Sequence, residues 1–344
     1  MSKKYLIDGR FLCSMSTGVD RYASQILKEL DNICGDVDIA ILVPSRVKTL
    51  PDYKNIKVIR SHFNRLWTQV VFALNSRVRN RIPVNLCNEV SVLAPKGIVA
   101  LHDVCYAEDN DYFPDAERKW FLKIYDRIRK HSLKVITVSE FSKQRIISLL
   151  GIEAEKITVI GNGWQHFEGV KADTGVLDKY PDIKKGSYYF MMSSANKNKN
   201  VKWLIANARY NPSSQYVLAG GDIDKVYDIE SVSNITYVGY LTDSAAKAFM
   251  KDCKAFVFPS YYEGFGIPPL EALSTGARII VSDTASLPEI CKDAAIYINP
   301  DKPEVNLDKL LEGSTASKET ALGRYSWKRS AEQLLSLLKA CGDY

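Results

Sequence analysis

The chain has 344 residues, 46% hydrophobic and 25% charged, with a formal net charge of +6. This length favours two domains, and this composition excludes a disordered or fibrous protein. Seven cysteines without a C-x-x-C pair and only four histidines favour reduced thiols and predict no tightly held metal. The opening MSKKYLIDGRF lacks the apolar run of a signal peptide, and no segment is apolar enough to span a membrane, which predicts a cytoplasmic protein.

Short β-branched runs in the first half alternate with longer amphipathic stretches. The runs are KYLID (4–8), DIAILVP (38–44), GIVALHD (97–103), KVITVS (134–139) and KITVIGNG (156–163). Residues 140–151 are predicted to form a helix, with Ser139 as its N-cap and Gly151 as the residue that ends it. This rhythm indicates β-α-β units and a parallel sheet.

Two stretches of the first half, 46–83 and 117–134, are rich in basic residues. Such a stretch is most often a solvated helix face. In the first of them, apolar side chains interleave with arginines, as they would in a helix at an anionic lipid surface or in a half-buried helix. The interleaved residues are Trp67, Val70, Val71, Phe72 and Leu74, with Arg65, Arg77, Arg79 and Arg81. Nucleic-acid binding is the weaker alternative, because no nucleic-acid motif accompanies the charge.

The strand rhythm stops in the polar residues 164–186, which we predict to be a linker, and then starts again. The second series of runs is SYYFMMSS (187–194), QYVLAGG (215–221), ITYVG (235–239), AFVFPS (255–260), RIIVSD (278–283) and AAIYINP (294–300). Residues 325–342 have the apolar spacing of a closing helix. The sequence therefore predicts an α/β protein of two Rossmann-like domains, which bind ligands in a cleft at the carboxyl ends of their strands.

Two glutamates, Glu263 and Glu271, flank a glycine-rich turn and a Pro-Pro pair in FPSYYEGFGIPPLEALSTGARIIVSD (258–283). We predict a helix that begins at Pro268 or Pro269 and ends at Gly276, with Glu271 in the first turn, where the helix dipole favours a negative charge. The two glycines of the turn permit positive φ, so the loop can offer its amides to a phosphate. In isolation, such a motif would more often be a solvated turn followed by a helix-start acid.

This stretch is not isolated. The motif E-G-F-G-x-P-P-x-E-A, after F-P-S and before STGARIIVSD, resembles the donor-binding signature of the retaining GT-B glycosyltransferases of family 4. Other segments match that family along the whole chain, namely STGVDRYASQIL (16–27), LHDVCY (101–106), VSEFSK (138–143), VIGNGW (159–164) and NKNV (198–201). Two positions depart from its pattern, because Asp20 stands where glycine is more usual and Asn198 where arginine is more usual.

The resemblance implies an enzyme with a GT-B fold, two Rossmann-like domains facing each other across a cleft. It would move a hexose or deoxyhexose, of the mannose or rhamnose type, from a nucleotide diphosphate sugar to a glycan or lipid-linked acceptor in bacterial surface polysaccharide synthesis. The resemblance also implies retention at the anomeric carbon and no metal or other cofactor. The nucleotide stays open between GDP, UDP and TDP, and so do the sugar, the acceptor and the linkage.

The same resemblance divides the chain. Residues 1–165 would form the acceptor domain, with a terminal helix at 328–344 packed back on it, and residues 175–325 would form the donor domain. The basic first half suits an acceptor carried on an anionic membrane. We therefore expect a cytoplasmic enzyme with peripheral contact to the inner face of the cytoplasmic membrane.

Residue-by-residue matching with the family gives a set of candidate site residues. Without a metal, a cation has to stabilise the departing diphosphate, and we expect Lys199 to do so with help from Arg21. Glu271 would accept hydrogen bonds from the donor ribose, and Glu263 would lie against the donor sugar. The candidate catalytic residues are His102, Lys199 and Glu263; the donor-binding residues are Gly18, Arg21, Asn198, Glu263, Gly264, Phe265, Gly266, Ile267 and Glu271; the acceptor-binding residues are His102 and Asp103.

Four alternatives stay open beside this assignment. A lone His-Asp pair, such as His102 with Asp103, would more often contain a buried histidine bonded to backbone. Asn198 lacks the cation of the family arginine, so diphosphate binding would be weaker or would be restored by Lys197. A dinucleotide-binding dehydrogenase shares the strand rhythm, but DGRFLCSMSTG (8–18) is not G-x-G-x-x-G. A non-catalytic sugar-nucleotide-binding subunit that assists a partner transferase is the other rival, although the presence of His102, Lys199, Glu263 and Glu271 favours an active enzyme.

Overall fold

The structure, a computed structural model, describes residues 4–13, 17–63 and 65–341. Ser16, the first residue of the segment 16–27 quoted above, and residues 342–344, the end of the helix predicted at 328–344, lie outside the described residues. The chain forms two compact units. Unit 1 comprises Met1–Asn110, Pro114–Gly163 and Ser326–Tyr344, and unit 2 comprises Asp111–Phe113 and Trp164–Tyr325.

The described part of unit 1 contains a parallel sheet of seven strands. They are β1 (Lys4–Asp8), β2 (Asp38–Pro44), β3 (Lys57–Ser61), β4 (Ile82–Asn85), β5 (Gly97–Ala100), β6 (Ser132–Thr137) and β7 (Ile157–Val159). Their order in the sheet is β3-β2-β1-β4-β5-β6-β7. All seven strands are parallel, and the strand order reverses between β1 and β4. Open α/β sheets bind ligands in the crevice outside the carboxyl ends of the strands at such a reversal.

The first four helices of the chain lie in this unit: α1 (Gly18–Ile33), α2 (Ala73–Val78), α3 (Asp115–His131) and α4 (Glu140–Leu150). A capping box starts α1, in which the Asp20 amide donates to Thr17 Oγ1 at 3.2 Å and the Thr17 amide donates to the Asp20 carboxylate at 3.1 Å. Asp20, the departure from the family glycine, thus supplies half of that cap. The predicted caps of α4 are confirmed, because Ser139 Oγ accepts from the Ser142 amide and Gly151 has φ 62°.

A π-helical turn, Trp67–Phe72, leads directly into α2. Trp67, Val71 and Phe72 are buried in a cluster that includes Leu6 and Leu42 of the sheet. For these three side chains the half-buried alternative therefore holds, and they are not available to a lipid surface. Strands β3 and β4 are not among the predicted ones. Strand β3 lies at the edge of the sheet and none of its residues is buried, and β4 contains Pro83, which normally argues against a strand.

Unit 2 contains a second parallel sheet. Its described strands are β8 (Tyr188–Met192), β9 (Gln215–Ala219), β10 (Ile235–Gly239), β11 (Ala255–Phe258), β12 (Ile279–Ser282) and β13 (Ala295–Ile298). They lie in the order β10-β9-β8-β11-β12-β13, so the order reverses between β8 and β11. All six were expected from the sequence, and this part of the fold prediction is confirmed.

The remaining helices are α5 (Val201–Tyr210), α6 (Asp243–Asp252), α7 (Ile267–Ser274), α8 (Leu287–Cys291), α9 (Leu307–Leu311), α10 (Glu319–Leu322) and α11 (Trp327–Ala340). The terminal helix α11 belongs to unit 1, where it packs against α1 and where Ser330 Oγ donates to the Gly161 carbonyl at 2.6 Å. The predicted linker 164–186 is part of unit 2 and contains two 3-10 turns, Gln165–Phe167 and Val176–Lys179. They form because Phe167, Val176 and Leu177 are buried.

Candidate active site

The reversal between β8 and β11 places two loops of unit 2 at the same edge of the sheet. One loop follows β8 and contains Lys199, and the other follows β11 and contains Glu263. A 3-10 turn, Lys197–Lys199, ends at Asn200, which has φ 57°. Asn200 Nδ2 donates to the carbonyls of Pro259 and Pro300 at 3.1 and 2.9 Å, and so fixes this turn to the residues that follow β11 and β13.

Lys199 and Glu263 form an ion pair across these loops. Nζ of Lys199 lies 2.7 Å from Oε1 and 2.9 Å from Oε2 of Glu263, and the side chains are 27% and 11% exposed. The structure therefore brings together two of the three predicted catalytic residues. Glu263 is partly buried, and because an ammonium group has three donors, Lys199 can keep this pair and still donate to a ligand oxygen.

Asn198 connects the same two loops. Its Nδ2 donates to the Tyr262 carbonyl at 3.2 Å, and its backbone carbonyl accepts from the Tyr261 amide at 2.8 Å. Among the described residues, no partner lies within hydrogen-bond distance of the buried Asn198 Oδ1. Lys197 pairs instead with Asp111, whose Oδ2 accepts from Nζ at 2.9 Å. Whether Lys197 restores the charge that Asn198 lacks stays a prediction.

Hydroxyl groups from the segment after β12 hold the Gly264-Phe265-Gly266 loop in place. Ser286 Oγ lies 2.9 Å from the Glu263 carbonyl and 3.1 Å from the Phe265 carbonyl, and Thr284 Oγ1 lies 3.2 Å from the Tyr261 carbonyl. Gly266 has φ 94°, and a Cβ atom there would lie 2.7 Å from Leu287 Cδ2. The loop conformation thus needs glycine at this position. Neither Thr284 nor Ser286 is among the predicted site residues, because their role depends on this tertiary contact.

Glu271 lies in the second turn of α7, not in the first. The helix begins at Ile267, because Gly266 in its left-handed conformation acts as the N-cap, so the prediction of a start at Pro268 or Pro269 is wrong by one or two residues. The helix dipole consequently contributes less to Glu271 than expected. His166 contacts this carboxylate instead, with Nε2 at 2.9 Å from Oε1, and the two side chains are 6% and 4% exposed. His166 is not among the predicted site residues.

The candidate residues of unit 1 occupy the N-terminus of α1 and the end of β5. Gly18 is the first residue of α1, and the Arg21 amide donates to the Thr17 carbonyl at 3.0 Å. His102 is buried, and because the Leu86 carbonyl 3.0 Å away can only accept, Nε2 is the donor. Burial lowers the pKa of His102 to about 4, and its ring packs edge-on against Tyr22. Asp103 Oδ1 accepts from the Cys105 amide at 3.0 Å.

A cavity of about 680 Å³ lies within unit 1 where the strand order reverses between β1 and β4. Its walls include Asp8, Arg10, Asp20, Arg46, Asn85 and Glu89. Asp8 Oδ1 accepts from Trp67 Nε1 at 2.6 Å and from the Arg10 amide at 3.0 Å, while Oδ2 accepts from Asn85 Nδ2 at 3.2 Å. Burial raises the pKa of Asp8 to about 6.

A second carboxylate faces the same cavity. Glu89 Oε2 pairs with Arg10 at 3.1 Å and accepts from Thr68 Oγ1 at 3.0 Å. This set of charged and amide groups was not predicted, although Asp8 is the last residue of β1 and Arg10 follows it closely, at the edge where a sheet of this order binds its ligand. Such a lining can both donate hydrogen bonds to hydroxyl groups and accept hydrogen bonds from them.

Two further properties of the described residues concern metal ligands and membrane-spanning helices. The part of the chain that the structure describes brings no three His, Cys, Asp or Glu side chains into a group that could hold a metal ion. None of its helices combines the length and the apolar composition that crossing a lipid bilayer requires.

Two family models match the chain, Glycosyltransferase Family 4 over residues 16–165 and Glycosyl transferases group 1 over residues 177–329. The O-antigen chain mannosyltransferase B of Escherichia coli is 26% identical over 268 residues, which are 71% of this chain and 70% of that protein. The O-antigen chain mannosyltransferase RfbU of Salmonella typhimurium LT2 is 29% identical over 203 residues, 55% of this chain and 54% of that one, so the match spans about half its length. HepE of Anabaena, solved with UDP and glucose, superposes with a TM-score of 0.72 at 16% identity, over 98% of this chain and all of that chain.

Two Rossmann-like parallel sheets, with loops of the matched motifs at the carboxyl edge of the second sheet, define a glycosyltransferase of the GT-B fold. The chain belongs to glycosyltransferase family 4. The predictions of fold class and family are thus confirmed.

Proposed function

We propose that this glycosyltransferase moves a hexose or deoxyhexose, of the mannose or rhamnose type, from a nucleotide diphosphate sugar to a glycan in bacterial surface polysaccharide synthesis. The observation that carries the proposal is the Lys199–Glu263 ion pair at the carboxyl edge of the unit 2 sheet. The names of the two O-antigen mannosyltransferases support the choice of sugar and of pathway class.

In this proposal unit 2 binds the donor. The transferred sugar leaves a nucleoside diphosphate on which negative charge develops, and Lys199 stabilises that charge in place of a metal ion. Backbone amides of Gly264, Phe265, Gly266 and Ile267 donate to the sugar or to phosphate oxygens. Glu263 lies against the sugar, and retention at the anomeric carbon is carried over from the family resemblance alone. The fixed loop conformation supports this arrangement, because preorganised donors do not have to reorient during the reaction.

Glu271 accepts hydrogen bonds from the donor ribose, and Asn198 belongs to the same site through its contact with the Tyr262 carbonyl. In unit 1, Gly18, Arg21, His102 and Asp103 keep the roles that the family resemblance gives them. The burial of His102 and its bond to the Leu86 carbonyl also fit a structural histidine, so its catalytic role is a proposal to be tested.

The unit 1 cavity binds the acceptor. Sugar hydroxyls are both donors and acceptors, and the cavity offers carboxylates at Asp8 and Glu89 beside cations at Arg10 and Arg46. A glycan that ends in a neutral sugar fits this mixed lining better than an anionic acceptor, because Asp20 also faces the cavity.

The acceptor in this proposal is carried on an anionic membrane, and the exposed face of α3 contacts that membrane. Trp120 is 55% exposed on this helix, and exposed Leu122 follows it. Lys119 and Lys123 are exposed beside them, and the Arg127 guanidinium lies 5.9 Å from the Trp120 ring centre. An exposed tryptophan among basic side chains is typical of a helix at a membrane interface. The enzyme would thus act peripherally at the inner face of the cytoplasmic membrane.

Arg81 does not take part in this contact. Its side chain is 10% exposed and pairs with Asp38 at 2.9 Å. The Arg77 and Arg79 side chains are exposed next to Leu74 and Val78 on α2, and this second face can add to the first.

Calorimetric titration of the purified chain with GDP, UDP, TDP, ADP and NAD, without divalent metal, tests the proposed function. Binding of a nucleoside diphosphate that Glu271→Ala abolishes would support the donor site, and sugar donors with that nucleotide would then be assayed for transfer by the chain alone. Binding of NAD alone, or of no nucleotide, would overturn the proposal. Donor binding without any transfer by the purified chain would favour the non-catalytic subunit.

A further inference from the structure

His166 lies in a 3-10 turn, and the residues beside it in the chain are held by hydrogen bonds to other parts of unit 2. Trp164 Nε1 donates to the Leu322 carbonyl at 3.0 Å, and Gln165 Nε2 donates to the Tyr325 carbonyl at 3.0 Å. Phe167 is buried, and its carbonyl accepts from Lys247 Nζ at 2.7 Å. The backbone on both sides of His166 is therefore fixed, and its imidazole is held at a defined place.

That imidazole contacts the candidate ribose-binding carboxylate. Nε2 of His166 lies 2.9 Å from Oε1 of Glu271, and both side chains are almost entirely buried. A carboxylate accepts about four hydrogen bonds, so Glu271 can keep the bond from His166 and still accept from a ligand. A carboxylate that is fixed at one oxygen has lost its freedom to rotate, and its remaining acceptor positions point in set directions.

A vicinal diol is the ligand group that gains most from a fixed carboxylate, because it presents two hydroxyl donors at a constant spacing. Ribose has such a diol at its 2′ and 3′ positions, and 2′-deoxyribose has only one of the two hydroxyls. The loss of a hydrogen bond to a buried charged group costs on the order of 1.5–3 kcal/mol, which corresponds to roughly ten- to a hundredfold in affinity.

We propose that His166 is a positioning residue that orients Glu271 toward both ribose hydroxyls and thereby selects ribonucleotide over deoxyribonucleotide donors. This inference rests on the proposed function, and specifically on Glu271 as the ribose ligand. It also narrows the donor, because GDP and UDP carry the diol and the deoxyribose form of TDP does not.

Affinities of the full chain for GDP and 2′-deoxy-GDP, and for UDP and 2′-deoxy-UDP, test the inference by calorimetry. The wild type is expected to bind one ribonucleotide at least about tenfold more tightly than its deoxy form. His166→Phe keeps an aromatic ring but removes the donor, and we expect it to lower that ratio to near one while the affinity for the deoxy form stays within about twofold. His166→Gln, which retains a terminal N–H donor, should recover most of the ratio.

A structural role for His166 predicts something different. Equal weakening of both nucleotides by His166→Phe, or no effect on either, would overturn the inference. His62→Phe, which replaces an exposed histidine of unit 1, is the matched control and should leave both affinities unchanged. A thermal melt shows whether His166→Phe folds, and if it does not, the ratio in His166→Gln decides.

The experiment separates this inference from the function on which it rests. If the wild type binds no nucleoside diphosphate, the proposed function fails and the inference fails with it. If the wild type binds the ribonucleotide and its deoxy form equally well, the donor site stands and the role of His166 is wrong.

Discussion

Lys199 and Glu263 are bonded to each other, with both carboxylate oxygens within 2.9 Å of the Lys199 ammonium group. The residue expected to neutralise the departing diphosphate thus holds the residue expected to lie against the sugar. An ammonium group has three donors, so Lys199 can keep a bond to Glu263 while it also donates to a phosphate oxygen. The pair holds the cation at a fixed position, and in the proposed role of Lys199 this position would be set before the donor binds, as electrostatic catalysis requires.

Lys199→Ala is expected to lower turnover at least about a hundredfold, because no other cation is bonded to Glu263 among the described contacts and the leaving diphosphate would lose its stabilisation. Release of nucleoside diphosphate from the sugar donor measures this. Lys197→Ala should change turnover less than about fivefold, because its ammonium group is paired with the exposed Asp111.

A loss of folding would imitate this result, since Lys199→Ala leaves the Glu263 carboxylate partly buried without its partner. The double variant Lys199→Ala with Glu263→Gln removes both charges and serves as the control. It should melt closer to the wild type than Lys199→Ala and should remain as inactive. Near-normal turnover in Lys199→Ala would show that another group stabilises the leaving diphosphate.

Gly266→Ala is expected to weaken nucleotide binding by at least about tenfold, because it would change the conformation of the 264–266 loop. Gly266 has φ 94°, a conformation that costs an alanine on the order of 1–2 kcal/mol, and the new Cβ would press on buried Leu287. Calorimetry with the nucleotide that the wild type binds measures the effect. Gly276→Ala has a comparable strain at φ 91° but open space around its Cβ, so it should cost stability and leave the affinity within about threefold.

The loops that carry candidate residues could be located from local sequence, and contacts between distant segments could not. Lys199 and Glu263 stand in matched motifs that follow recognisable strands, and their loops do follow β8 and β11, whereas Glu271 lies in the second turn of α7 and not in the first. His166 lies 105 positions from Glu271, and nothing in the sequence near either residue indicates that they meet. Asn198 was expected at the phosphate on the strength of a motif, yet its side-chain amide bonds the Tyr262 carbonyl, a contact that depends on how two loops fold together.

Some elements of the fold could likewise be predicted from local sequence, and others could not. Runs of β-branched residues predicted the buried strands of both sheets, because burial on both faces leaves a continuous apolar signal. Strand β4 was not predicted because Pro83 occurs within it. In the sheet Pro83 is paired with Leu6 of β1, and on its other side a Cβ atom at Gly97 of β5 would lie 2.6 Å from Pro83 Cγ, so the absence of a side chain at Gly97 leaves room for the proline ring. Trp67 could not be assigned to core or surface, because the π-helical turn that buries it changes the usual helical spacing.

His102 and Asp8 predict opposite effects of acid on unit 1. The pKa of His102 is about 4, below its ordinary 6.5, so between these values the unfolded chain binds a proton that the folded chain does not, and stability falls as the pH falls. The pKa of Asp8 is about 6, above its ordinary 3.8, so in nearly the same range the folded chain binds the extra proton and stability rises as the pH falls. The two effects largely cancel in the wild type.

Single substitutions should therefore separate them. His102→Gln should gain on the order of 3 kcal/mol of unfolding free energy relative to the wild type between pH 7 and pH 4, because it removes the group that acid charges. Asp8→Asn should lose a similar amount relative to the wild type over the same range. Denaturant titrations at both pH values measure these differences. A constant difference between His102→Gln and the wild type would mean that His102 titrates normally and is open to solvent.

Vesicle binding is expected to depend on the exposed face of α3. Each basic side chain near an anionic surface contributes about 1 kcal/mol, so Lys119→Gln with Lys123→Gln should weaken binding to phosphatidylglycerol vesicles by roughly thirtyfold. Trp120→Ser should weaken it as well, because it removes the exposed aromatic anchor. The matched control is Lys202→Gln with Lys251→Gln, two exposed lysines of unit 2, which should bind like the wild type.

Salt and lipid charge distinguish this docking from a general attraction. Binding of the wild type should fall steeply as salt rises and should be weak on neutral phosphatidylcholine, because exposed charges are screened beyond about 10 Å at 0.1 M salt. Since Trp120 adds an apolar contribution that salt does not screen, the wild type should retain more binding at high salt than Trp120→Ser. If the α3 double variant (Lys119→Gln with Lys123→Gln) and the unit 2 double variant (Lys202→Gln with Lys251→Gln) lose vesicle binding equally, the attraction acts through net charge. If the α3 double variant binds vesicles like the wild type, α3 is not part of the contact surface.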